Sequence, residues 1–315
     1  MHRDKQSGVK WSDPELGEPM AGLRRGAYGA QGRKIAVYDE AFVRKTMAKR
    51  MVALGLPSLA AYGEQLARQP QEVADLHRAL RIGYSEFFRN PLTFAFLEQW
   101  ILPGLAAEKR LAGRSEIRVW SAGCAAGQEA WSIAMLLDTL SGAGEPRVFY
   151  RIFGTDCSEP DLEMAAAGVY SAEAVGNVRR RDLEGYFSRR DGSWVISPRL
   201  RERVSFSAYD LLDESSSSPE ASLYGDFDLI FCCNLLFYYR LDIRQQILSK
   251  LCRALSPGGY VVTGEAERDI VAAHDGLSAV APPVALFQKT CHPRSGRIAM
   301  THLAPGITHD DRQPL

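Results

Sequence analysis

Ile117-Arg118-Val119-Trp120-Ser121-Ala122-Gly123-Cys124-Ala125-Ala126-Gly127-Gln128-Glu129 is the stretch that decides the fold. Its first four residues are a short apolar run of strand type, its middle is rich in glycine and alanine, and Ala130 to Leu140 continues as a helix. Strand, glycine turn and helix in that order open a parallel α/β unit. Glycines at 123 and 127 let the backbone turn tightly and approach a ligand at the N-terminus of the next helix. A dinucleotide fold wants G-x-G-x-x-G, and Ala125 stands at the middle glycine, so the G-x-x-x-G spacing suits a nucleoside without a pyrophosphate. Small residues also occur in ordinary strand-to-helix turns, so this turn alone leaves ligand binding and plain packing both open.

Downstream the same unit recurs. Phe149 to Gly154 is a second strand, with a helix from about Glu159 to Ala167. Asp228 to Cys232 is a third strand, followed by a helix over Ile243 to Leu255, and Pro257-Gly258-Gly259 turns into a strand over Tyr260 to Thr263. Strands alternating with helices predict a doubly wound, Rossmann-like sheet covered on both faces. Trp194-Val195-Ile196 and Arg203-Val204-Ser205-Phe206 are expected to form a small antiparallel subdomain over about 186–207, and Asp213 to Ser222 a surface loop. Upstream, Phe42, Met47, Met51 and Leu54 recur near helical spacing until Gly55-Leu56-Pro57-Ser58 breaks the run. Ser58 can cap a second helix through Leu66, and a third begins near Gln71. The expected organisation is a flexible leader (1–33), an all-helical N-terminal domain (34–88), the α/β domain (89–291) and a flexible tail (292–315).

Composition sets outer limits. Of the 315 residues 46% are hydrophobic and 24% charged, the balance of a globular protein, and 38 basic residues offset 38 acidic ones. No global field therefore attracts nucleic acid or an anionic membrane. The six cysteines include no C-x-x-C pair and fall mostly in apolar segments, where reduced thiols act as small hydrophobes. The polar opening Met1-His2-Arg3-Asp4 does not read as a secretory signal, and no apolar run reaches the ~20 residues a bilayer requires. A cytoplasmic, reduced protein is expected.

Candidate site residues cluster where strands end. The second strand finishes at Thr155-Asp156, where a carboxylate can accept from ribose hydroxyls; the alternative is a helix-capping Asp. Asn234 and Tyr238 follow the third strand, at the carboxyl end where ligands bind in such sheets, unless the aromatic pair Tyr238-Tyr239 only packs helix on sheet. Tyr84-Ser85-Glu86-Phe87-Phe88-Arg89-Asn90-Pro91 joins the two domains, and Arg89 there is either a solvated charge or a bidentate holder of a carboxylate. None of the six histidines lies in these segments, and there is no metal-ligand spacing, P-loop or Ser/His/Asp set.

Several of these segments stand in the order found in one family. S-x-F-F-R (Ser85 to Arg89), W-S-A-G-C-x-x-G-x-E (Trp120 to Glu129), G-T-D (Gly154 to Asp156), A-x-x-G-x-Y (Ala165 to Tyr170), Y-F (Tyr186-Phe187), D-L-I-F-C-x-N (Asp228 to Asn234) and P-G-G-Y (Pro257 to Tyr260) resemble the CheR-type chemotaxis receptor methyltransferases. The resemblance spans about Tyr38 to Thr290. It implies methyl ester formation on glutamate side chains of chemoreceptor-like proteins, with S-adenosylmethionine as donor and S-adenosylhomocysteine as product. It also implies that Ser85, Arg89, Gly123, Gly127, Glu129, Asp156, Asn234 and Leu235 line the cofactor site. Asp210-Leu211 falls where the family usually has Asn-Leu beside adenine, and Arg89 and Tyr238 fall near the transferred methyl. Gln128, Cys233 and the run Gly264-Glu265-Ala266-Glu267 depart from the family pattern and bear on the acceptor side.

Arg44, Lys45, Lys49 and Arg50 form a basic stretch that is either a solvated face or, as the resemblance implies, a dock for an acidic receptor helix. The excursion Tyr186 to Trp194 holds only Gly192 and is shorter than the loop of family members that tether a receptor peptide, so such tethering is not expected. Two other functions fit the same residues: a methyltransferase for a small biosynthetic acceptor, and a non-catalytic module binding S-adenosylmethionine or its product.

Overall fold

The computed structural model describes residue 22 and residues 29–113, 116–142, 149–222 and 225–290. The expected tail, and the expected leader apart from Gly22 and Gly29 onward, lie outside them. Within the leader's expected range, Gly29–Ile35 is helix α1, so the helical unit starts before residue 34. Ile35 is fully buried and belongs to the same core as Leu76 and Leu80. That burial, not local spacing, makes the segment helical.

Helices α2 (Glu40–Ala53), α3 (Leu59–Arg68) and α4 (Pro70–Leu80) follow. Asp39 caps α2 by accepting from the Phe42 N–H, and Ser58 caps α3 by accepting from that of Ala61. Their buried faces meet over Val43, Met47, Leu59, Tyr62 and Leu76. Tyr62 donates to Glu72 at 2.5 Å, and Arg50 reaches the same carboxylate at 2.6 Å. Glu72 is 4% exposed, so this ion pair ties α2 to α4 from inside.

Pro91–Phe96 is α5, continuing through a π-helical turn at Leu97–Ile101 into α6 (Leu102–Leu111). None of the elements expected from sequence covers this segment. Pro103 lacks an N–H for the helical ladder, and the wide turn sits just before it.

The sheet comprises β1 (Glu116–Ala122), β2 (Phe149–Asp156), β6 (Val204–Ala208), β7 (Phe227–Cys232), β8 (Leu255–Thr263), β9 (Leu277–Ala279) and β10 (Leu286–Lys289). Its spatial order is β6-β2-β1-β7-β8-β10-β9, parallel from β6 to β8 and antiparallel at β10 and β9. A second sheet of order β3-β5-β4 joins β3 (Val169–Tyr170), β4 (Phe187–Arg190) and β5 (Ser193–Ile196). This corrects the expected subdomain over 186–207. Val204 to Ala208 pairs in parallel with Ile152 to Asp156 at the edge of the large sheet, while Val169-Tyr170 joins the small one. The alternating V-S-F-S-A pattern reads as an exposed excursion because an edge strand is covered mainly on one side.

Helices α7 (Gln128–Gly142), α8 (Glu159–Ala167) and α11 (Leu241–Ala254) are the crossovers; the short α9 (Arg180–Tyr186), α10 (Pro198–Arg201) and α12 (Arg268–Ala272) lie between strands. One core cluster unites α1 to α4 with a single face of the sheet, running from Val43 and Tyr62 through Tyr38, Tyr239 and Leu236 to Trp120 and Phe227. The other face, under Trp131, Leu229 and Phe231, packs against α5, α6 and the small sheet. The helical unit is thus continuous with the core of the sheet beneath it. Among the described residues no helix is long and apolar enough to cross a membrane.

Gly127 is the tightest point of the first turn. Its φ is +87°, and an added Cβ would stand 2.7 Å from that of Ala165 on α8. Gly127→Ala is expected to lose about 1–3 kcal/mol through backbone strain and overpacking. Denaturant melts check this, and a wild-type midpoint would refute it.

Candidate functional site

In this strand order β2 and β6 lie on one side of β1, and β7 and β8 on the other. The chain reverses direction across the sheet between β1 and β7, and the crevice outside their carboxyl ends is where such sheets bind ligands. A cleft lies there, in two connecting parts that share Tyr84, Gly123, Cys233 and Asn234. Ser85, Arg89 and Glu129 line the inner part; Asp156, Asp210, Leu211, Leu235 and Tyr238 line the outer part. The structure brings all of these expected site residues together. Gly127 is the exception: it is buried against Ala165 and Phe206 and shapes the turn from behind, without facing the cleft.

The β1 turn is lashed to the end of β2. The N–H groups of Gly123 and Cys124 donate to the Thr155 carbonyl at 2.8 and 2.9 Å, and Ala125, at φ +45°, donates to Asp156 Oδ2 at 2.9 Å. Asp156 Oδ1 accepts from Ser158 at 2.9 Å. Each carboxylate oxygen keeps lone-pair capacity for a ligand hydroxyl. Burial pushes the Asp156 carboxyl up, and the Ala125 and Ser158 N–H groups pull it back. Glu129, in the first turn of α7, accepts from Ser121 Oγ at 2.6 Å. Burial raises its carboxyl, opposed by hydrogen bonds from Ser121 and Cys233 and by the charge of Arg89.

Arg89 sits between two residues in the left-handed region, Phe88 (φ +50°) and Asn90 (φ +62°). This strain is held by its surroundings. Phe87 is fully buried against Tyr170 and Phe187, Phe88 packs on Phe94, and the Phe88 N–H donates to Ser132 Oγ. The kink directs the guanidinium into the cleft, 5.4 Å above the Tyr84 ring, without a carboxylate partner among the described residues.

After β7 the chain is pinned by Glu267, which in the sequence stands out only as part of a departure from the family pattern. Its carboxylate is fully buried and accepts from the N–H of Asn234 (2.7 Å), Leu236 (2.6 Å) and Gly264 (2.9 Å) and from Thr263 Oγ1 (2.9 Å). Asn234 has φ +59°, and its Oδ1 is buried without a partner. Gly264 is required here, because a Cβ would stand 2.6 Å from Asn234 Nδ2. Glu267 lies three residues after Gly264, the spacing of a capping-box glutamate, and its carboxylate accepts from the Gly264 N–H in that way.

Helix α2 closes the outer wall. Asp39 donates its N–H to the Tyr238 carbonyl at 2.7 Å, Phe42 packs on Tyr238 at 4.6 Å, and Tyr38 stacks on Tyr239 at 5.0 Å. The basic stretch of α2 divides. Arg44 pairs with Glu40 and Arg50 with Glu72, while Lys45 and Lys49 are exposed. In the small sheet β4 is an edge strand bearing exposed Arg189 and Arg190, so an accessible strand exists and only the Asp191-Gly192 turn is short.

The carboxylates of Glu86, Glu129, Asp156, Asp161 and Asp210 line the cleft against Arg81 and Arg89. That balance favours a ligand carrying positive charge. Gly123 leaves its backbone bare toward the cleft, with only Leu235 within 4 Å of where a Cβ would stand. The unpartnered Asn234 Oδ1 needs a donor. A cationic nucleoside such as S-adenosylmethionine meets all three conditions. Among the described residues no cluster of side chains could hold a metal ion.

Known proteins resemble this chain along most of its length. Residues 84–279 match the family described as "CheR methyltransferase, SAM binding domain". "Chemotaxis protein methyltransferase 1" of Pseudomonas aeruginosa is 31% identical over 71% of this chain and 81% of its own length. "Chemotaxis protein methyltransferase Cher2" of Pseudomonas putida is 30% identical over the same shares. An uncharacterized 104.1 kDa protein of Rhodobacter capsulatus is 31% identical over 88% of this chain, which spans 28% of that protein.

Proposed function

Because this chain belongs to the CheR methyltransferase family and carries its S-adenosylmethionine-dependent domain, we propose that it forms methyl esters on glutamate side chains of acidic, helical, receptor-type proteins. The single observation that carries this reading is Arg89, a planar cation aimed into the cleft beside Tyr238 and lacking a carboxylate of its own. Bound S-adenosylmethionine supplies an electrophilic methyl group. Asp156, Glu129, Asn234 and the bare turn at Gly123 would hold it, with Ser85, Asp210, Leu211 and Leu235 completing the walls.

The chain's own work is positioning. A glutamate side chain, with a pKa of about 4.3, is ionised at neutral pH and needs no general base; among the described residues no histidine lines the cleft. Arg89 would orient the acceptor carboxylate through its fork of N–H groups. Tyr238, its phenol pushed up by burial, stays a neutral donor at the cleft mouth. The strap from Arg81 to Glu86 and the aromatic wall of Tyr38 and Tyr239 limit water entry. The acceptor would dock on the helical unit through Lys45 and Lys49, in the cytoplasm, without peptide tethering.

A second reading has one observation in its favour. Cys233 puts a small neutral thiol on the cleft wall beside Glu129, where the family pattern has arginine, and this suits a smaller acceptor. Transfer of labelled methyl from S-adenosylmethionine to acidic receptor helices discriminates the two. Base-labile label on protein, lost in Lys45→Glu/Lys49→Glu, is the expected result. Label found only in small molecules would overturn the proposal, and tight binding of receptor C-terminal peptides would move docking to the β4 edge.

Asp156→Ala should weaken S-adenosylhomocysteine binding roughly ten- to a hundredfold, since it removes charged acceptors worth about 1.5–3 kcal/mol. Calorimetry giving equal affinities would place the ribose elsewhere.

A further inference from the structure

A third cavity, of about 390 Å³, opens on the far side of the wall that closes the outer cleft. It lies between α1, α4 and the segment after β6, and shares Tyr38, Arg81, Cys157, Asp210 and Tyr239 with the cofactor cleft. Arg33 and Lys34, from the last turn of α1, face it with exposed side chains, and Arg81 joins them from the strap. Against these three cations stands one carboxylate, Asp210. His77 of α4 also lines the cavity. It is only 9% exposed, yet neither ring nitrogen has a hydrogen-bond partner among the described residues. Burial, with Arg81 and Lys34 close by, pulls its imidazole down to about 4, so it faces the cavity as a neutral ring with one N–H to donate.

Three cations facing one cavity, beside an imidazole that opens on it, call for an oxygen-rich anion. Phosphate fits better than carboxylate, because its oxygens can take charged donors from several directions at once. We propose that this cavity is a second ligand site, for a small molecule carrying a phosphate group, whose occupancy is felt in the cofactor cleft through the shared wall. Arg81 is the natural link: it donates to the Cys157 carbonyl, immediately after Asp156. An anion drawing Arg81 toward the cavity changes the charge facing the nucleoside end of the cleft. Coupling of this kind is reciprocal, so the cofactor alters affinity for the anion by the same factor.

Inorganic pyrophosphate is the probe, titrated into the full chain by calorimetry in about 0.15 M salt, where diffuse surface attraction is screened. One saturable site is expected, weakened by roughly tenfold or more in Arg33→Gln/Lys34→Gln and in His77→Phe, which fills the same space without a ring nitrogen. The double variant carries only exposed changes, so it reports even if His77→Phe folds poorly. Its S-adenosylhomocysteine affinity without pyrophosphate should equal wild type, while saturating pyrophosphate should shift that affinity in the wild type by roughly twofold or more. Absence of saturable binding, or equal binding in wild type and double variant, overturns the site. Unchanged S-adenosylhomocysteine affinity under saturating pyrophosphate overturns the coupling.

Discussion

Arg89→Ala is expected to lower methyl transfer roughly 10³-fold, while S-adenosylhomocysteine affinity falls by no more than about tenfold. The asymmetry follows from where the residue points. The residues proposed to hold the nucleoside, Asp156, Asp210 and Leu211, line the outer cleft, which Arg89 does not line. The guanidinium faces the inner part, where an acceptor carboxylate would gain a bidentate partner. Arg89→Lys keeps the charge but not the planar fork, and should recover only part of the rate. The backbone kink at Phe88 and Asn90 is fixed by buried aromatic packing, so both variants should melt close to wild type. Single-turnover rates with calorimetry on the same preparations decide the matter. Wild-type turnover in Arg89→Ala would remove this residue from the mechanism.

Glu267→Ala should be the most destabilising change near the cleft. It leaves three buried N–H groups and the Thr263 hydroxyl without their acceptor, for an expected loss of about 3–5 kcal/mol after partial relaxation and entry of water. Glu267→Gln separates geometry from charge. The amide oxygen can replace Oε2, which takes three of the four bonds, but the amino group then faces the Leu236 N–H, donor against donor. About 1–3 kcal/mol should be lost, with weaker S-adenosylhomocysteine binding because Asn234 shifts from its seat. Denaturant melts and calorimetry should rank wild type, Gln, then Ala on both scales. Two variants of wild-type stability would mean that the strand-end loop does not depend on this carboxylate.

The segments legible in advance were those whose local pattern and tertiary role agree. The strands at 117–120, 149–154 and 228–232 are apolar because both faces of the sheet are covered, and Ser58 caps α3 by chemistry confined to one turn. The strand at 204–208 was misplaced because an edge strand lacks that continuous apolar run. Helix α1 was missed because its helical state rests on burying Ile35 against α4, a contact absent from the local sequence. Glu267 was missed for a related reason. A glutamate after a glycine reads as a surface residue, and its four donors come from two segments, 234–236 after β7 and 263–264 at the end of β8.

By itself the local sequence determined strands β1, β2 and β7 with the helices that follow them, the turn at Gly123, and the strand-end positions of Asp156 and Asn234, because periodicity, glycine conformational freedom and strand-end position are properties of short segments; Ser85, Glu129, Asp210, Leu211 and Leu235 were named only through the family resemblance. Tertiary structure alone decided that Gly127 supports the turn from behind, that Arg50 is engaged by Glu72, and that Arg33, Lys34, His77 and Arg81 converge on one cavity. Each of these depends on which groups the folded chain brings within a few ångströms across long separations in sequence. Pairing, burial and pKa are set at that range, by neighbours that no local pattern specifies.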